Sequence, residues 1–266
     1  MTEQGPSGVN TRIPNVARMY DYYLGGKDNF TADREAAEKV LAIVPEVRFS
    51  TRENRAFLGR SVRFMVNAGI RQFLDIGTGL PTLQNVHQVA QAIEPESRVA
   101  YVDNDPVVGV HGRAILARTE NVTMVEGDLR RPQEILDQPA VRQLIDFDRP
   151  VGVMLLAIMH FISDKEDPMS IIQTLREAMA PGSYFVLSHV AIDARPAAAP
   201  GVEQVYSKAS SPFISRTGAE ISRFFEGFEL EEPGVVNLPE WRPDPGSHVL
   251  YRGIGSYFLC GVGRRL

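Results

Sequence analysis

Residues 73–80 read Phe-Leu-Asp-Ile-Gly-Thr-Gly-Leu, an apolar run that ends in Asp75 and turns on Gly77-Thr78-Gly79. Two later stretches repeat the pattern: Val99-Ala-Tyr-Val-Asp103-Asn104 and Thr123-Met-Val-Glu-Gly-Asp128-Leu129. Each is an apolar strand that finishes in a carboxylate. Strand, tight turn and helix in alternation build one nucleoside-shaped cleft at the carboxyl ends of a parallel sheet. Asp75 is placed to meet an ammonium group and Asp103 to accept ribose hydroxyls. Asn104 would flank an adenine, Asp128 would accept its amine, and the Leu129 backbone N–H would face a ring nitrogen.

The glycine pattern bears on which ligand this is. The third glycine of a dinucleotide fingerprint is replaced by Thr82, and an acid beside the turn repels a pyrophosphate. A ligand carrying a sulfonium and an ammonium but no phosphate suits the three acids better.

Outward from this centre, strands are expected at 72–76, 98–103, 122–126, 151–157 and 183–190, with closing strands at 228–231 and 256–261. Helices are expected near 85–93, 106–118, 132–144, 169–179, 202–209 and 217–225, the last opened by the capping box Thr217-Gly-Ala-Glu220. The first five strands are apolar on both faces, as strands between helix layers are. The fold expected is α/β: a doubly wound, Rossmann-like, mostly parallel sheet of seven strands over 71–266. Residues 1–12 are polar and expected to be disordered. Residues 13–70 form a helical prefix: Asn15 caps a helix to Leu24, Gly25-Gly26 ends it, a second runs Asp33–Val44, and Ser50-Thr-Arg-Glu53 opens a third to Asn67.

A net charge of −5 with no basic stripe argues against a nucleic-acid partner. The single cysteine, Cys260, allows no intrachain disulfide. No run approaches the ~18 apolar residues of a membrane span, and the Met-Thr-Glu-Gln-Gly-Pro start lacks a leader's basic and apolar regions, so a cytoplasmic location is expected. Nothing in the pattern sets an oligomeric state.

These stretches resemble the ordered motifs of class I S-adenosylmethionine-dependent methyltransferases at 73–79, 101–105, 126–129 and 155–160. Tyr20-Asp-Tyr-Tyr-Leu-Gly-Gly-Lys-Asp-Asn-Phe30, Arg52–Arg55, Asp75–Pro81, Asn104–Val108 and Leu187–His189 resemble more closely an actinobacterial methyltransferase family with no established acceptor. The resemblance implies S-adenosyl-L-methionine as cofactor, held by Asp75, Gly77, Gly79, Asp103, Asn104, Asp128 and Leu129. It implies no acceptor; the acidic surface and compact prefix favour a small molecule.

Methyl transfer is an in-line displacement at carbon, driven largely by holding two groups aligned, and it needs a base only when the acceptor arrives protonated. The base candidate is His160, just past strand four, though a histidine there can also simply pack. His189 could line the acceptor side. His87 reads as a surface residue, and His111 and His248 have no supporting context. In the prefix, Tyr20, Tyr22 and Tyr23 offer aromatic faces to a cation, and Gly25, Gly26 and Asn29 form a loop that could close over the methionine end. Lys27 and Arg55 are candidate partners for the donor carboxylate. Trp241 either walls the acceptor pocket or packs in the core. Two other readings stay open on the residues alone: a non-catalytic sensor of the donor, and an NAD-dependent oxidoreductase, against which the glycine pattern counts.

Overall fold

The computed structural model describes residues 9–81, 84–115, 120–191, 193, 195–246 and 257–266. Thr82, His248, Ser256 and the end of the helix expected over 106–118 lie outside the described residues. Strands β1 (Gln72–Ile76), β2 (Arg98–Asp103), β3 (Val122–Glu126), β4 (Gly152–Leu156) and β5 (Tyr184–Val190) run parallel in the order β3-β2-β1-β4-β5. After β6 (Glu229–Leu230) and β7 (Val236–Asn237), β8 (Phe258–Arg264) returns antiparallel to β5 and pairs with both short strands. The expected sheet of seven strands becomes eight through the two-residue β7. Strand order reverses between β1 and β4, the switch point at which such sheets open a crevice.

Side-chain alternation along the strands sorts the core into two layers. Phe73, Tyr101, Met154 and Val186 pack on one face with α1 (Val16–Leu24), α2 (Thr31–Ile43), α3 (Val47–Asn67), α4 (Val86–Gln91) and α5 (Pro106–Ile115). Leu74, Ile76, Val102, Val153 and Leu187 pack on the other with α6 (Pro132–Leu136), α7 (Pro139–Leu144) and α8 (Pro168–Ala178), and with α10 (Gly218–Arg223), which follows α9 (Ala199–Tyr206) in the chain. Period two therefore puts Asp75, in step with Phe73, and Asp103, in step with Tyr101, on the face that the first helices cover.

Three local expectations change. The helix expected over 132–144 is two, because Pro139 has no N–H and its ring would clash with a helical carbonyl four residues back, so it starts α7 instead. The third helix begins at Val47, a turn before the Ser50–Glu53 box, and Ser50 is buried in its interior. The helix expected near 202–209 begins earlier, at Ala199, with Pro200 in its first turn, where proline is tolerated.

The prefix is anchored by one buried ion pair. Arg18 Nε donates to Asp33 Oδ2 at 2.7 Å, and both residues are buried. Asp33 also accepts the backbone N–H groups of Asn15 and Phe30 at 2.8 Å each. Arg18 Nη2 holds the carbonyls of Asn10 and Ile13, so the chain around Asn10, expected to be disordered, is tied to α1. The Asn15 side chain caps α1 by accepting from Ala17 and Arg18, and Gly25 ends it at φ +84°. Among the described residues no helix is long and apolar enough to cross a membrane.

Removing one partner of a buried pair strands the other charge. Asp33→Ala should therefore lower the free energy of urea unfolding by about 3–5 kcal/mol, and a loss below about 1 kcal/mol would show that the pair does not anchor the prefix.

Candidate functional site

At the switch point a cavity of about 320 Å³ opens between the strand ends and α1 and α3. Asp75, Gly77, Thr78, Gly79, Asp103 and Asn104 all line it, together with Tyr20, Asn54 and Arg55 from the prefix. A smaller crevice shares Gly77, Asp103 and Asn104 with it and continues to Gly127, Asp128 and Leu129. The residues singled out at three strand ends thus meet on one continuous surface.

Each turn residue has a physical reason to be there. Gly77 sits at φ +75°, and a Cβ on it would lie 2.6 Å from the Ile158 side chain. Gly79 sits at φ +65° with open space where a Cβ would be, on the cavity wall. Its N–H donates to Asp103 Oδ2 at 2.8 Å, while Asp103 Oδ1 accepts the Asp105 N–H at 2.9 Å. Asp105 caps α5 by accepting the Val107 N–H. Each Asp103 oxygen keeps a lone pair for a further donor.

Asp75 and Asp103 are both buried. Burial pushes the Asp75 carboxyl up to about 6, against the opposing pull of the Arg55 charge and the Thr78 hydroxyl. Burial also pushes Asp103 up to about 6, against the N–H groups of Asp105 and Gly79. Asp128 behaves differently. Burial opposes its ionisation, but the Arg130 guanidinium, donating to both of its oxygens at 2.7–3.0 Å, outweighs that and holds it below the usual range. Its carboxylate already faces a cation.

Tyr20 is fixed by a relay of hydrogen bonds. Ser188 Oγ donates to Asn54 Oδ1 at 2.7 Å, Asn54 Nδ2 donates to the Tyr20 hydroxyl at 2.9 Å, and that hydroxyl donates to the Thr51 carbonyl at 3.2 Å. Tyr20, Val16 and Phe161 also line a second, apolar cavity of about 70 Å³ bounded by His160, Tyr206 and Phe213.

The remaining expected residues lie off the larger cavity. Tyr23 is buried, with its hydroxyl 3.3 Å from that of Tyr206, on the apolar cavity. Gly25, Gly26 and Asn29 fold back on Asp21 rather than over the opening: Asn29 Nδ2 donates to Asp21 Oδ2 at 2.8 Å, and Gly26 lies so close that a Cβ would collide with the Asp21 carboxylate. They act on the cavity only through Asp21, which lines it. Tyr22 packs under the Arg48 guanidinium and Lys27 is exposed. Trp241 is fully buried edge-on against Phe57 and Phe64, a core residue. His87, read as a surface residue, is half-buried with Nδ1 2.8 Å from the Tyr101 hydroxyl.

His160 is buried on the apolar cavity, and its Nδ1 has no hydrogen-bond partner. Burial, then the neighbouring His189 and Arg216, push its ring well below the usual histidine range, so it is neutral. Burial likewise brings His189 to about 3 despite the Val190 carbonyl, with Arg216 adding to the shift. That carbonyl, 2.7 Å from Nδ1, can only accept, so Nδ1 carries the proton and Nε2 accepts from Arg216 at 3.1 Å. Arg216 also donates to the Met159 and Ile162 carbonyls and to Asp164, fixing the turn that carries His160.

Arg216 and Arg130 have no motif to announce them. Asn54 and Ser188 fall inside the stretches Arg52–Arg55 and Leu187–His189 that carry the family resemblance, which did not single them out.

Among known proteins, a family described as S-adenosyl methyltransferase matches residues 2–265. A DUF574 family protein of Streptomyces avermitilis is 40% identical, with TM-score 0.90 over 96% of this chain and 99% of that one. A methyltransferase candidate from Thermobifida fusca is 41% identical, with TM-score 0.91 over 99% of each chain. The protein PigF, solved with SAH, shares the fold at 16% identity, with TM-score 0.52 over 91% of this chain and 72% of that one. No curated protein matches the chain.

The raised carboxyls have a cost that can be read. The folded-state value for Asp75, about 6, lies above the ~3.9 of an unfolded aspartate, so protonation of Asp75 favours the fold. That contribution is complete below about pH 4 and is lost as pH rises through about 6. Asp75→Asn keeps an acceptor for Thr78 and carries no charge. Without ligand it should exceed the parent in stability by on the order of 2–3 kcal/mol at neutral pH, a gain that vanishes towards pH 4 in urea unfolding. Equal stability of the two proteins at neutral pH would show that Asp75 is not destabilised.

Proposed function

The chain belongs to the S-adenosyl methyltransferase family, and from that premise we propose that it transfers a methyl group from S-adenosyl-L-methionine to a small-molecule acceptor. The observation that carries the placement of the donor is the pair of buried carboxylates, Asp75 and Asp103, on one cavity at the switch point. Both are held above their usual range, as acids are when burial is not offset by a bound cation or enough donors. A ligand with an ammonium group and vicinal hydroxyls supplies what each lacks, and the open space at Gly79 leaves room for it against the backbone. When bound, the donor supplies an electrophilic methyl carbon on a sulfonium.

The residues then divide the task. Asp75 pairs the ammonium, and Arg55, across the same cavity, faces the donor carboxylate. Asp103 accepts the ribose hydroxyls with the lone pairs left over from Gly79 and Asp105. Asn104, Asp128 and the Leu129 N–H bound the adenine crevice, where Asp128 reaches the ring amine only by sharing its oxygens with Arg130. The prefix acts as a lid through Val16, Ala17, Tyr20 and Asp21, which roof the cavity. His160, on the lining of the second cavity, takes the acceptor's proton; burial keeps its ring neutral at the expense of its basicity. The acceptor is a small molecule, because the second cavity is only about 70 Å³ and the chain has no basic stripe for nucleic acid.

Calorimetric titration should show saturable binding of S-adenosylmethionine and S-adenosylhomocysteine and none of NAD. Asp103→Ala should weaken donor binding by about 1.5–3 kcal/mol, roughly 10- to 150-fold. Affinity should also fall as pH is lowered through about 6, because the protonated Asp75 no longer pairs with the ammonium. Binding of NAD alone would overturn this reading.

A further inference from the structure

The apolar cavity beside the donor site is lined by two residues whose buried polar atoms have no hydrogen-bond partner, His160 through Nδ1 and Tyr257 through its hydroxyl. Val16, Tyr20 and Phe161 line both cavities, so the two share a wall. Beyond that wall the apolar cavity is built from rings: Tyr206 and Phe213 stack at 5.4 Å between centroids, Phe161 meets Tyr206 at 5.6 Å, and the His160 ring lies 5.3 Å from Phe213. His160 Nδ1 is buried there with no hydrogen-bond partner, at a cost a ligand group can remove.

Resting on the donor assignment above, we propose that this cavity is the acceptor pocket and that it takes an uncharged phenol-class molecule whose hydroxyl meets Nδ1 of His160. Charge excludes the alternatives. Arg216, behind His189, is paired with Asp164, and the one charged side chain among the described residues of the lining, Arg195, is paired with Glu46, so neither is free to hold an ionised acceptor. Size sets the scale. About 70 Å³ is under half of the ~150 Å³ that holds a benzene in an engineered protein cavity, so a single ring must reach to the shared wall. Transfer to the oxygen makes one C–O bond and breaks one C–S bond. Sulfur keeps the electron pair and becomes neutral, and the hydroxyl proton passes to His160 Nδ1.

The test uses the intact protein labelled with ¹⁵N in its histidine rings, with S-adenosylhomocysteine present and phenol as probe. His160→Phe assigns the His160 resonance. Phenol should bind saturably and shift the His160 Nδ1 signal. Benzene, which lacks the hydroxyl, should bind roughly tenfold more weakly, and benzoate should not bind. Val202→Trp, which fills the cavity, should abolish phenol binding and leave S-adenosylhomocysteine affinity unchanged. Absence of phenol binding while S-adenosylhomocysteine binds would overturn the pocket assignment alone. So would phenol binding that leaves the His160 signal unmoved, a readout in the wild-type chain that does not depend on any variant folding. Phenol binding at His160 with no S-adenosylhomocysteine binding would support the pocket and overturn the methyltransferase reading.

Discussion

The site depends on the orientation of one buried amide. Asn54 offers its oxygen to Ser188 and its NH₂ to Tyr20, and each partner uses its remaining capacity elsewhere. Ser188 Oγ accepts the Ala157 N–H at 3.0 Å, and the Tyr20 hydroxyl donates to Thr51. Reversing the amide would force Tyr20 to donate to Asn54 and abandon Thr51, so the direction of the whole relay is set. Ala157 sits at φ +55°, a conformation an alanine does not favour, where its N–H reaches Ser188. The next residue, Ile158, fills the space above Gly77. One relay thereby ties α1, α3 and β5 to the ends of β4 and β1, the elements that surround the larger cavity.

What that frame holds is not designed for the stability of the free protein. Two carboxylates are buried on the same cavity, each raising the cost of ionising the other, with only Arg55 and a few N–H and O–H donors in opposition. A binding site for a cation must keep its anions short of partners until the cation arrives, and the rest of the fold supports the difference. The Arg18–Asp33 pair shows the contrast. Asp33 is equally buried but has a guanidinium and two backbone donors, so it serves the fold rather than a ligand.

The parts legible in the sequence are those with short-range causes. Apolar runs ending in acids located β1, β2 and β3 and the cavity residues Asp75, Asp103 and Asn104, because strand, turn and carboxylate are contiguous in the chain. Asn15 and Thr217 likewise capped the helices expected of them. The illegible parts have long-range causes. Gly25, Gly26 and Asn29 look like a mobile loop until Asp21 is seen to pull them inward. Asp128 looks available until Arg130 is seen across it. The apolar cavity is assembled largely from α1, α2, the turn after β4 and the segment 198–215, which no local pattern brings together.

The two cavities differ electrostatically across the wall they share. On one side stand Asp75 and Asp103; on the other stands His160, with His189 and the Arg216–Asp164 pair behind it. A cation is drawn to the first side. The wall itself carries the aromatic side chains of Tyr20 and Phe161, a residue type whose ring face attracts cations. Because the relay through Asn54 fixes Tyr20 from behind, this separation is a property of the folded chain and does not wait for either substrate.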